Sequence, residues 1–229
     1  MADGFNAVVA TTNTYSLQEL IVDADTLDFP LNTVIRTSEY ITGSGFGGNS
    51  YTLIDGGISR PSEDGGSIIH VGTGNLYLKG LFEDGVFSVA RFGAPHTDDT
   101  FNSTPIILAT AVYARSKSSQ IILGTGVDVN ARCTVVFNAG AVHYMSTTAV
   151  FDLEGVRVDF KCLMGSATIS GAKVSSPTLR NGLGFDFNRL FRTKFAGLNF
   201  AGFDKIMEWD TNNVDSAIII YDNCEFHNS

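Results

Sequence analysis

The chain has 229 residues, enough for one large domain or two small ones, and a net charge of −9, which argues against a nucleic-acid partner because phosphates need clustered Lys and Arg. Apolar residues make up 44% and charged residues only 17%, with 24 glycines, 5 prolines and 17 phenylalanines, the balance of a mostly β chain with many turns. No run of 18 apolar residues is present to span a bilayer as a helix, and the start, MADGFNAVVATTNTY, has neither the basic segment nor the long apolar run of a secretory signal.

In chain order, YSLQELIVDAD predicts a short helix: Ser16 caps it, Glu19 completes a capping box, and Leu17, Leu20 and Ile21 share a face. TVIRTSEYI, SYTLID, SIIHV and NLYLKGLF follow as strands, with Tyr51 and Leu53 on one face and Thr52 and Ile54 on the other. Glycine turns separate them, so residues 31–85 read as a small antiparallel unit. The longest of these turns is YITGSGFGGNSY. A phosphate-binding glycine loop precedes a helix, whereas a strand follows here, so the stretch reads as a tight turn, with Phe46 pinning it against the strands or a neighbouring subunit.

FSVARFGAPHTDDT reads as a strand and a polar turn. STPIILATAVYARSK is the best helix: Thr104 caps it, Pro105 suits its first position, and Ile106, Ile107, Ala109, Val112 and Tyr113 recur at helical spacing. It is expected to end in RSKSSQ and to pack on residues near Ile121–Leu123 and Val135–Phe137. Short strands then come quickly: QIIL, CTVVF, AVFDL, VRVDFK, ATIS, GFDF, RTKF, LNFAGF, IMEW, AIIIY and CEFHN. LNFAGF echoes CEFHNS, with Phe200 and Phe226 26 residues apart (226 − 200). A period of this size suits stacked repeats, and three strands per coil of about 25 residues suit a right-handed parallel β-helix. Cys133, Cys162 and Cys224 lie far apart in apolar contexts and read as reduced thiols, with no zinc-site spacing.

FSVARFGAPHTDDT followed by TPIILATAVYA resembles the entry segment of pectin-lyase-like β-helices, through Phe92, Gly93, Ala94, Thr97, Asp98, Asp99 and Thr100. Two loops depart from the pattern: the usual glycine-rich loop is shortened to Pro95-His96, and FNST is inserted before Pro105. Together with VIRTSEYITGSGFGGNSYTLID, DGGSIIHV and LYLKG ahead of it, the segment is similar to the front of bacteriophage tailspikes or tail fibres, although GSGFGG stands where an aspartate is usual. The resemblance covers roughly residues 15–120.

It implies a virion (tail) attachment region at 1–85, a neck strand and capping helix at 86–120, and the start of a parallel β-helix at 121–229. It further implies a homotrimer that docks on other phage tail proteins and meets host surface polysaccharide through the β-helix, without nucleic acid or membrane insertion. Such a chain is made in the host cytoplasm and ends in the phage tail. The alternatives are a structural tail adaptor without activity and a free polysaccharide-degrading enzyme. The rhythm of AIIIYDNCEFHNS carries no capping helix, so the chain is expected to be the amino-terminal part of a longer protein.

Members of this class often cleave polysaccharide, as hydrolases or lyases. Hydrolysis needs paired carboxyl groups, about 5–5.5 Å apart for retention and about 6.5–9.5 Å for inversion. Asp152, Asp159, Asp186, Asp204, Glu208, Asp210, Asp215, Asp222 and Glu225 are available, and none forms a recognisable pair. Asp152 and Asp186 both follow Phe, and the pattern fits equally a stack on one face and separate solvated strand positions. His70, His96, His143 and His227 are scattered, Ser, His and Asp occur without a GxSxG motif, and Trp209 in EWD reads as packing at a coil edge. No residue is therefore assigned as catalytic, cofactor-binding or metal-binding, and this segment is not expected to be active alone.

Overall fold

A computed structural model describes residues 15–23, 29–72, 74–82, 85–98, 100–125, 133–153, 156–173, 181–188, 193–209 and 219–227; for 118–125, Asn181 and Trp209 it describes the backbone only. The chain divides into two compact units, Met1–Phe82 and Glu83–Ser229.

In the first unit, β1 (Tyr15–Ser16) runs into α1 (Leu17–Asp23). The capping box forms: the Glu19 amide donates to Ser16 Oγ at 3.1 Å, and the Ser16 amide donates to Glu19 Oε2 at 2.9 Å. This fixes the face on which Leu17 and Leu20 are buried, against Ile35, Tyr51, Leu53, Ile69, Val71 and Leu78. Those partners come from β2 (Val34–Glu39), β3 (Ser50–Asp55), β4 (Ile68–Val71) and β5 (Leu76–Leu81). The sheet order is β1-β2-β3-β5-β4, antiparallel except for the β1–β2 pair.

The second unit opens with β6 (Val86–Ser88), a 3-10 turn at Val89–Phe92 and β7 (Thr97–Asp98). FSVARF is thus a strand only in its first half, because Gly93, at φ 99°, caps a helical turn. Then comes α2 (Thr104–Thr125), which is longer than its sequence suggests. RSKSSQ does not end it, and QIIL, expected as a strand, continues its backbone. Nor does the Thr104 side chain cap it. Asn102 Oδ1 accepts from the amides of Thr104 (3.2 Å) and Ser146 (3.1 Å), while the Thr104 hydroxyl donates to the Thr147 carbonyl at 3.1 Å. These bonds tie the helix start to the first coil.

After α2 the strands are β8 (Cys133–Phe137), β9 (Val142–Tyr144), β10 (Ala149–Asp152), β11 (Val158–Cys162), β12 (Ala167–Ser170), β13 (Asn181–Asn188), β14 (Lys194–Ala196), β15 (Leu198–Ala201), β16 (Phe203–Trp209), β17 (Ile220–Asp222) and β18 (Glu225–His227). They form three parallel sheets, ordered β6-β8-β11-β14-β17, β7-β9-β12-β15-β18 and β10-β13-β16. Read along the chain, this is a parallel β-helix. β8–β10, β11–β13 and β14–β16 are successive three-strand coils, β6 and β7 lead in, and β17 and β18 follow. LNFAGF is not one strand: Gly202, at φ 68°, turns the chain between β15 and β16, and a Cβ there would lie 2.6 Å from that of Ala172. The corner between the first two sheets repeats a left-handed residue in each coil: Gly140, Gly165, Gly197 and Asn223.

Register stacks like positions of successive coils. Phe87, Val135, Phe160, Phe195 and Tyr221 form one inward column, and His143, Ile169, Phe200 and Phe226 another. The echo between Phe200 and Phe226 is such a contact: the two residues pair in register, with rings stacked at 5.5 Å. Phe160 stacks on Phe195 at 5.2 Å, and Phe151 on Phe187 at 4.9 Å. Each favourable aromatic pair adds about 0.5–1.5 kcal/mol beyond its area burial.

α2 covers the first coil with Ile107, Thr110, Ala111 and Ala114, all fully buried, and Arg115 Nη1 donates to the Asp152 carbonyl at 2.6 Å. Its partners include β8 and β10. Residues 121–123 belong to the helix itself and so are not its packing surface. Val112, expected on the buried face, is 43% exposed, because a step of five residues from Ile107 carries it around the helix.

Ile107→Asp should prevent soluble folding, since an unpaired buried charge costs several kcal/mol, whereas Val112→Asp should shift stability by no more than about 0.5 kcal/mol. Soluble yield and thermal melting of the two single variants check this. Phe195→Ala should cost about 3–5 kcal/mol in urea unfolding, because it empties the centre of the Phe160–Phe195–Tyr221 column.

Candidate functional site on the outer faces of the coils

A β-strand shows alternate residues to opposite faces, so the inward Phe151, Phe185, Phe187 and Met207 leave Asp152, Asp186 and Glu208 facing out from the β10-β13-β16 sheet. Asp152 and Asp186 share this face but are not rung neighbours. Asp186 pairs in register with Val150 on one side and Glu208 on the other, while Asp152 pairs with Asn188. The shift of two residues follows from the register of β10 on β13, which no local pattern in FDL and FDF reveals. Adjacent strands are about 4.8 Å apart, so Asp186 and Glu208 are carboxylates on neighbouring rungs. Glu208 is half exposed and forms an ion pair with Lys205 at 2.7 Å.

Asp159 follows another course. It faces outward from β11 by alternation, yet its side chain is fully covered. Its Oδ1 accepts from Arg157 Nε at 3.2 Å and from the Lys194 amide at 3.1 Å, and its Oδ2 lies 3.2 Å from Lys161 Nζ. One coil on, Lys194 Nζ reaches Asp222 at 2.6 Å, and this bond, with the charge of Lys194, holds the Asp222 carboxyl below its usual range. Asp159 and Asp222 thus belong to a charged ladder that links coils, and Asp159 has no surface to offer a substrate.

The other candidates disperse. Asp204 and Glu225 are exposed, and Glu225 contacts His227 at 3.1 Å. His70 stands edge-on to Tyr77 at 5.0 Å, and His143 is buried against Phe137 at 5.4 Å. Asp210 and Asp215 lie outside the described residues, as does the side chain of Trp209, whose backbone pairs with Phe187. Cys133 and Cys162 are buried free thiols and Cys224 is half-buried; burial pushes the Cys162 thiol up. Among the described residues, no three His, Cys, Asp or Glu side chains are grouped to hold a metal ion, and no helix is long and apolar enough to cross a membrane.

No protein-family model matches the chain, and no curated protein matches it by sequence. Solved structures do. The tailspike protein gp49 of Acinetobacter baumannii bacteriophage Fri1, described as a capsular polysaccharide depolymerase, aligns with a TM-score of 0.59 at 15% identity over 94% of this chain and 42% of its own. The chain has the parallel β-helix fold of phage tailspikes. Further matches are the tailspike protein of Acinetobacter phage vB_ApiP_P1 (TM-score 0.54, 13% identity, 95% of this chain and 37% of that one) and the enzymatically active domain of tailspike protein 2 of bacteriophage CBA120 (TM-score 0.51, 14% identity, 99% and 35%). The chain therefore spans about two-fifths of the length of these matched chains, one of which is itself a domain of a longer tailspike.

The tailspike fold leaves the glycine-rich turn of the first unit to be explained. The turn does bind an anion, and the anion is its own side chain. Gly43 donates its amide to Glu39 Oε1 at 2.6 Å, and Gly45 donates to Glu39 Oε2 at 2.5 Å. Gly43, Gly45 and Gly47 all have positive φ, which aims successive amides inward, and the Tyr40 amide closes the turn on the Phe46 carbonyl at 2.8 Å. Sequence reasoning identified the turn but missed its ligand; the signal was an acidic residue at the end of the strand leading into it.

These amide bonds hold the Glu39 carboxyl below its usual range, led by the bond from Gly45. A depressed carboxylate contributes order above its unfolded pKa and loses it as pH falls through the folded value. The Gly43 and Gly45 amide resonances should therefore move together with the Glu39 side chain in an NMR titration below pH 4.5. In Glu39→Gln that movement should vanish while the β2–β3 pairing persists.

Proposed function

We propose that the chain is a component of a bacteriophage tailspike or tail fibre, located in the phage tail. Residues 1–85 attach it to other tail proteins, residues 86–120 serve as neck and cap, and the coils that follow present an outer face to host surface polysaccharide, in a homotrimer. The observation that carries this reading is the parallel, in-register coil stack, covered at its start by α2, with the fold of three phage tailspikes, one of them described as a capsular polysaccharide depolymerase. The extended outer surface of stacked coils suits a long chain of sugars, and the net charge of −9 disfavours a nucleic-acid ligand.

Cleavage is not assigned to the described coils. A glycosidase needs an acid and a base set across a groove several sugars long. Here the neighbouring carboxylates are Asp186 and Glu208, and Glu208 is engaged by Lys205. The test measures binding of the purified chain to host capsule and O-antigen, new reducing ends or unsaturated uronates, and mass by light scattering. The expected result is saturable glycan binding by a trimer without turnover. A stable monomer with no affinity for host glycan would overturn the reading. Turnover abolished by Asp186→Asn or Glu208→Gln would move the chemistry into these coils.

A further inference from the structure

The groups around His143 form a unit that the polysaccharide reading does not use. His143 lies in β9 with its ring 1% exposed, and neither ring nitrogen has a hydrogen-bond partner among the described residues. The ring stands edge-on to Phe137 of β8. Above and below it in the column are Asp98 of β7 and Ile169 of β12. His96 approaches from the segment before β7, close enough for charge on one imidazole to oppose charge on the other.

The backbone around this ring holds several elements together. The Val142 amide donates to the His96 carbonyl at 2.9 Å, Met145 to Ser170 at 2.8 Å, and Ser103, at the entrance to α2, to Tyr144 at 2.8 Å. The strand that carries His143 thus joins β7, β12 and the start of the capping helix.

We propose that His143, with His96 beside it, is an acid-sensitive latch: while His143 is neutral it closes the first coil under α2, and its protonation releases β9 and the helix entrance. The groups facing His143 do not offset the new charge. Asp98 is the one carboxylate paired in register with it, and it is open to solvent, where water screens its charge and the Thr100 amide and hydroxyl donate to its Oδ1 at 2.8 and 2.6 Å. β12 brings Ala167, Thr168, Ile169 and Ser170, β8 brings Phe137, and the α2 entrance brings Ser103, none of which carries charge. Tyr144, next in β9, lies under Lys173 at 5.5 Å from its ring centroid, another cation near the strand.

Burial, with the nearby His96 second, lowers His143 from 6.5 to about 4. The sign follows. The open state binds the proton more readily, so closure is complete above about pH 6.5 and is lost progressively as pH falls toward 4.

The test is hydrogen exchange with an imidazole titration by NMR on the whole chain. After correction for intrinsic rates, protection at Ser103, Val142 and Met145 should fall on the order of 50-fold between pH 7 and pH 4.5, while amides of β14 and β15 change little. In His143→Phe, which keeps a ring against Phe137, the selective loss should disappear; His143→Gln serves as a second variant if the first does not fold. The wild-type titration stands without either. A His143 imidazole that titrates near 6.5 with those amides still protected would overturn the proposal, and so would an equal loss of protection in a folded His143 variant.

Discussion

Parallel pairing in register is the constraint on which the second unit depends. Once β8, β11, β14 and β17 align, each inward residue must sit directly on its counterpart one coil away. A flat ring suits that position, because it stacks at close to the strand spacing and excludes water along the whole column. Phe160, Phe195 and Tyr221 meet this requirement, as do Phe200 and Phe226. The same alignment sets the corners. Successive coils must turn at one place, and residues with positive φ recur there. At Gly197 a Cβ would lie 3.0 Å from the Gly165 carbonyl oxygen, so the corners are packed on each other as tightly as the strands.

Register also decides the chemistry of the outer surface. It brings Asp186 beside Glu208 and separates both from Asp152. On another sheet it places Asp159 level with the Lys194 amide of the next coil, while Arg157 and Lys161, two residues away on either side along the chain, supply its cations, converting a surface carboxylate into a buried fastener. A buried carboxylate of this kind is tolerated only while its partners remain, since removal of one leaves an uncompensated charge. Asp159 and Asp186 differ in sequence two residues away, with Arg157 and Lys161 around Asp159 against Gly184 and Asn188 around Asp186, and their roles diverge through these neighbours and through the coil each one meets.

Locally organised devices hold the first unit. The Ser16–Glu19 capping box, the Glu39 carboxylate in its ring of amides and Asp64, which accepts from the amides of Gly66, Ser67 and Ile68, each satisfy backbone donors within a few residues of the side chain. Such devices set turn geometry without long-range help. They free the buried face of α1 to pack on the sheet.

Much of this was legible in the sequence because the signals were local. The capping box, the alternation in SYTLID, the glycine turns and the apolar strands follow from residue type and spacing over a few positions, and one echo of 26 residues announced the coil repeat. What is decided by contact between distant segments was not legible. RSKSSQ resembles a helix end, but α2 runs on to Thr125; Val112 has helical spacing, but the narrow buried face passes through Ala111 and Ala114. Sequence by itself determined which residues favour strand, turn and helix, because those preferences lie in each residue's backbone and side-chain sterics. Tertiary structure alone decided which carboxylates are neighbours, which one is buried and which histidine is sealed in a coil. Those properties depend on the offset between strands some 22 to 36 residues apart (203 − 181, 185 − 149), a length no local pattern encodes.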